Sequence, residues 1–66
     1  MDQGAARQRL NAAVAERDAT RAAAETADTH LRRAIRDAVE AGVTITEVAE
    51  LTGYHRNSVR RIVDER

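Results

Sequence analysis

The sequence predicts an all-α fold: one long N-terminal helix, then two short helices meeting at a tight glycine turn, with the long helix pairing two copies of the chain. Three observations predict it. From Ala5 to Ala41 there is neither Pro nor Gly, and Ala, Arg and Glu, which lose least on entering a helix, dominate. Gly42 and Gly53 stand where a left-handed residue would end a helix. Around and beyond them, apolar residues recur at spacings of three and four, the pattern of helices with one buried side.

The long helix comes first. Asp2 is placed to cap its start and Gly42 to stop it. Uninterrupted, it would be about 55 Å long at ~1.5 Å per residue. Thr26 to Thr29 is where a break would fall, because Thr and Asp are poor helix formers and good caps. The two halves differ in what they can bury. Leu31, Ile35, Ala38 and Val39 form an ordinary core stripe, whereas the first half offers Leu10, Val14 and mostly alanines. The expected division is therefore residues 1–30, an alanine-rich dimerisation helix, and residues 31–66, a tri-helical unit.

Continuing the spacing from Leu10 through Val14 brings Arg17 and Arg21 and then Ala24 onto the seam. Charges there spoil a regular parallel coiled coil. Two readings stand: an antiparallel or irregular helix pair, in which Arg17 and Arg21 meet acids such as Glu25 and Asp28 of a partner, or a solvated and partly frayed helix. Leu10, Val14, Arg17, Arg21 and Ala24 are the candidate dimerisation residues.

After Gly42, Thr44 and Glu47 have the spacing of a capping box, with Val43 as a staple. The first short helix should run from Ile45 to Thr52, burying Val48 and Ala49, and end at Gly53. The second should begin near Arg56 and end near Glu65, with Val59, Ile62 and Val63 inward. At ~100° per residue, Asn57 and Arg61 then point most nearly outward, flanked by Arg60, Asp64 and Ser58.

Composition bounds what such a chain can do. With 66 residues, no Cys and 2% aromatic content, it has a thin aliphatic core and no covalent staple, so an oligomer is expected on stability grounds. Lys+Arg and Asp+Glu are both 11, so no global field draws it to a polyanion, and nucleic-acid binding must come from local clustering. Every basic residue is Arg, which with the abundant Ala suggests a GC-rich genome such as that of an actinobacterium or its phage. No apolar run approaches the ~20 residues of a membrane span, and no signal peptide is evident, so a cytoplasmic, nucleoid-associated location is expected.

The stretch Val48-Ala49-Glu50-Leu51-Thr52-Gly53, followed by Tyr54 through Ile62, resembles the helix-turn-helix of bacterial DNA-binding proteins. It resembles in particular the type in DNA invertases and resolvases and in many small repressors and sigma-factor-like modules. A small residue stands at Ala49, where the helices of that family cross, glycine at Gly53, and aliphatics at Val48, Val59 and Ile62. The likeness covers about a third of the chain directly, and about half if Leu31 to Ala41 is the family's preceding helix. His55 departs from the pattern: the family places Ser or Thr there to cap the second helix, so capping would pass to Asn57 or weaken.

The resemblance implies that this second helix enters the major groove of double-stranded DNA. Arg can contact guanine and Asn adenine through paired hydrogen bonds, which makes Arg56, Asn57, Arg60 and Arg61 the candidate base-reading set. His55 and Ser58, with Arg32, Arg33 and Arg36, are the candidate phosphate contacts. Opposing readings are ordinary pairing of Arg60 and Arg61 with Asp64, and of the Arg32 group with Asp28, Asp37 or Glu40. His30 and His55 lack the company a metal site needs, and no arrangement supports catalysis, so neither cofactor, metal nor enzymatic activity is expected.

The function expected is that of a small bacterial or phage transcriptional regulator binding an inverted repeat as a homodimer. The alternatives are an architectural or recombination accessory DNA-binding protein, or a protein-interaction module contacting the transcription machinery.

Overall fold

A computed structural model describes residues 2–65, which form three α-helices: α1 Gln3–Glu40, α2 Ile45–Thr52 and α3 Arg56–Asp64. The described residues contain no strand. The molecule is an elongated rod with a knot at one end, 59 × 19 × 15 Å, and the long dimension is α1 itself.

α1 is capped as expected, with the Asp2 carboxylate accepting from the Ala5 amide at 2.7 Å. It does not break at Thr26 to Thr29. The Thr29 hydroxyl donates to the Glu25 carbonyl at 3.0 Å, so its polar group is satisfied within the helix and no cap forms there. The division at residue 30 is thus one of packing within a single continuous helix. Residues 6–31 are exposed, and α1 buries only Ile35.

The end of α1 is a Schellman motif. The Val43 amide donates back to the Ala38 carbonyl and the Gly42 amide to that of Val39, both at 3.0 Å, with Gly42 at φ 105°. Two carbonyls that would otherwise be orphaned are satisfied, and the chain reverses into α2. Thr44 caps α2 by accepting from the Glu47 amide at 3.1 Å, but the return bond of a full capping box is not among those of the described residues. Val43 packs on the cluster that contains Val48, the two positions of a hydrophobic staple.

α2 ends at Gly53, whose φ is 77° and whose amide donates to the Ala49 carbonyl at 2.9 Å. A Cβ placed on Gly53 would meet nothing within 4 Å, so only the backbone resists a side chain there. Gly53→Ala is expected to destabilise the fold by about 1–2 kcal/mol, the cost of a left-handed L-residue. Thermal unfolding followed by circular dichroism checks this, and an unchanged midpoint would mean that the turn does not depend on glycine.

The core lies where the three helices meet: Ile35 from α1, Val48 from α2, and Val59 and Ile62 from α3, with Val59 0% exposed. Ala38, Val39, Val43, Ala49, Tyr54 and Val63 surround it, half-buried. Two expectations need correction. Ala49 is half-buried rather than buried, and Leu31 is 37% exposed, at the rim of the core instead of within it. No helix among the described residues is long and apolar enough to cross a membrane.

Candidate nucleic-acid interface

α3 presents two sides. Val59 and Ile62 fasten its inner side to α1 and α2, and the helical period then fixes which residues lie opposite. Arg56, Asn57, Arg60 and Arg61 are all exposed, and the helix brings them together on one outer surface. Asp64 stays out of ion pairing with this group: among the described residues, ion pairs within 4 Å are limited to Arg17–Asp18, Arg32–Asp28 and Arg32–Glu65. Arg60 leans instead on Asn57, its Nη1 donating to the Asn57 Oδ1 at 3.4 Å. No acidic residue occupies the first turn of α3, so the positive end of its dipole is not offset from within the helix.

His55 caps α3 itself. Its Nδ1 accepts from the Asn57 amide at 3.1 Å, doing the work expected of Ser or Thr and leaving none to pass to the Asn57 side chain. The ring nitrogen serves because it carries a lone pair within reach of a first-turn amide, the same requirement a hydroxyl meets. Only the Nε2 edge of His55 is left to face a ligand. Ser58 is half-buried, in a hollow of about 240 Å³ shared with Arg32, Tyr54 and Arg61.

The three arginines of α1 named as candidate phosphate contacts part company. Arg32 is clamped between Asp28 at 2.9 Å and Glu65 at 2.7 Å. Its hydrogen bond to Asp28 and then the charges of Asp28 and Glu65 raise its guanidinium above the ordinary value. Arg36 is half-buried and donates to the Ile62 carbonyl at 3.4 Å. These two therefore tie α1 to the C-terminal part of α3 and help set the angle at which α3 is held. Arg33 is exposed and in no ion pair among the described residues.

Leu10, Val14, Arg17, Arg21 and Ala24 are all exposed along the free part of α1. Arg17 pairs with its neighbour Asp18 at 2.9 Å, and Asp28 is held by Arg32 of the same chain.

Two features at this surface escaped the reading of the sequence. The Thr52 hydroxyl donates to the Val48 carbonyl at 2.8 Å and accepts from the Tyr54 amide at 3.2 Å, so one side chain bridges the turn that separates α2 from α3. A Thr in the last turn before a Gly was the available signal. Glu50 lines a hollow together with Thr46, Tyr54, His55 and Arg56, next to the start of α3. Nothing local in the sequence could show this, since it depends on how α2 crosses α3.

Among the described residues there is no group of three or more His, Cys, Asp or Glu arranged to hold a metal ion. Comparison of the chain with models of known protein families, with curated proteins and with solved structures finds no match.

Proposed function

We propose that this chain is a sequence-specific DNA-binding protein, a small transcriptional regulator of bacterial or phage type. In this reading α2, the Gly53 turn and α3 act as a helix-turn-helix, with the end of α1 as its supporting helix, and α3 enters the major groove. The observation that carries it is the outer surface of α3. Three guanidinium groups and one amide, of Arg56, Arg60, Arg61 and Asn57, stand on a helix whose opposite side is locked into the core, with no acid between His55 and Val63.

The chemistry of those groups suits base edges: a guanidinium matches the two acceptors of guanine, and a carboxamide the donor and acceptor of adenine. The Asn57–Arg60 hydrogen bond is long and exposed, so it yields readily to a base. One α3 makes few base contacts, and pairing of two copies through α1 would double them on an inverted repeat.

A protein-docking module is the second reading, and Glu50 beside Arg56 favours it, because a carboxylate at the edge of the surface opposes a phosphate backbone. Selection of bound sequences from random duplex DNA separates the two. An enriched palindrome that is lost with Asn57→Ala and Arg61→Ala is the expected result. Absence of any enrichment at low salt, where phosphate attraction is strongest, would sink the DNA reading.

A further inference from the structure

An apolar hollow lies away from α3, between the last turns of α1 and α2. It has a volume of about 240 Å³ and is walled by Leu31, Ala34 and Ala38 on one side and by Val48 and Leu51 on the other, with Glu47 at its rim. Leu51, on the wall of this hollow, is 78% exposed. At the far end of α1 stand two more uncovered aliphatics, Leu10 at 63% and Val14 at 38%.

We infer that the hollow is filled by the N-terminal part of α1 from a second copy of this chain, the two long helices running antiparallel. This rests on the pairing of copies put forward above, and not on DNA binding.

The hollow continues a seam along α1. Leu10, Arg17, Ala24, Leu31 and Ala38 form one row, and every seventh residue from Ala6 to Ala34, all Ala but Thr20, forms the other. These rows alternate at spacings of four and three, the repeat that wraps two helices in a left-handed coil. All seam positions as far as Leu31 are exposed, and from Leu31 the seam runs into the wall of the hollow.

Polarity follows from what each long side chain would meet. Parallel helices in register would set Arg17 against the same residue of the partner subunit inside the seam, and would leave the hollow open. Antiparallel helices can be placed so that Leu10 lies on the partner's Ala34 and Leu31 on the partner's Ala13. Arg17 then lies on the partner's Ala27, whose small side chain leaves room for the aliphatic stem while the guanidinium reaches water. In that register each long side chain opposes an alanine along an overlap of about 50 Å.

The charges agree. Residues 3–15 carry Arg7 and Arg9 and no acid, whereas the charged residue at the hollow is Glu47. The same register brings Arg9 near the partner's Asp37 and Glu16 near the partner's His30. A basic segment bearing Leu10 thus lies over an acid-rimmed apolar hollow at both ends of the pair.

The sequence has no Cys, so introduced thiols report pairing directly. Chains bearing Leu10→Cys and Ala34→Cys, both at exposed positions, are oxidised mildly, alone and mixed. The expected result is a disulfide-linked dimer from the mixture and none from either chain alone. Self-linkage of the Leu10→Cys chain, or no linkage in the mixture, overturns the antiparallel register.

Sedimentation equilibrium of the unaltered chain and of Leu51→Glu completes the test. The unaltered chain is expected to dimerise at micromolar concentration, and Leu51→Glu to raise the dissociation constant at least tenfold. An unaffected Leu51→Glu dimer overturns the filling of the hollow. A monomeric unaltered chain removes the second copy altogether, while the selection of DNA sequences judges the reading of α3 on separate grounds.

Discussion

Ile35→Ala is expected to abolish the cooperative unfolding of the three-helix unit at ordinary temperature. Ile35 is the one residue that α1 buries, at 2% exposure, and it packs in a cluster with Val48, Val59 and Ile62. Truncating a buried Ile to Ala costs about 2–5 kcal/mol, from lost transfer energy and from the cavity left behind. Domains this small are stable by only a few kcal/mol, so the loss is comparable to the whole. With four residues in the buried cluster, collapse of neighbours into the gap is also limited. The measurement is thermal and urea unfolding by circular dichroism, with Ile35→Val alongside at an expected cost of about 0.5–1.5 kcal/mol. A cooperative Ile35→Ala transition within a few degrees of the unaltered chain would show that α1 is not held through this residue.

The second large effect concerns recognition. Asn57→Ala and Arg61→Ala combined are expected to remove about 2–6 kcal/mol of discrimination per half-site, at ~1–3 kcal/mol for each two-bond contact with a base. Alanine is the best helix former and both positions are exposed, so α3 and its core contacts should survive. The cap survives as well, because His55 accepts from the backbone amide of residue 57 and not from its side chain. Competition between the selected sequence and random duplex at fixed salt gives the ratio directly. If that ratio is unchanged, the outer surface of α3 does not read bases. Losing Arg61 also removes a charge, so some loss of non-specific binding accompanies the effect without accounting for it.

Much of the secondary structure was legible because its determinants are local. Asp2, Thr44, Gly42 and Gly53 act on amides and carbonyls within one turn, and each ends or starts a helix where its side chain or its freedom at positive φ requires. Thr26 to Thr29 left the continuity of α1 open for the opposite reason. Thr is ambivalent, and Thr29 found its partner in the preceding turn instead of at a cap. His55 was legible as a departure from the expected pattern but not as a cap, since its role turns on which ring nitrogen meets the Asn57 amide.

By itself the sequence determined three helices, their ends to within a residue, and the inward stripe Val59, Ile62 and Val63 that turns Asn57 and Arg61 outward. Helical period and turn chemistry act over a few residues and need no knowledge of the fold. Only the tertiary structure decided how the helices cross, and with it three placements that no local rule gives. Glu65 closes on Arg32 across 33 positions, Arg36 reaches the Ile62 carbonyl, and Glu50 comes to border the start of α3. The crossing also left Leu31 and Leu51 uncovered beside one hollow. Burial is a property of the assembled surface, so which aliphatics stay open for a partner emerges only once α1, α2 and α3 have met.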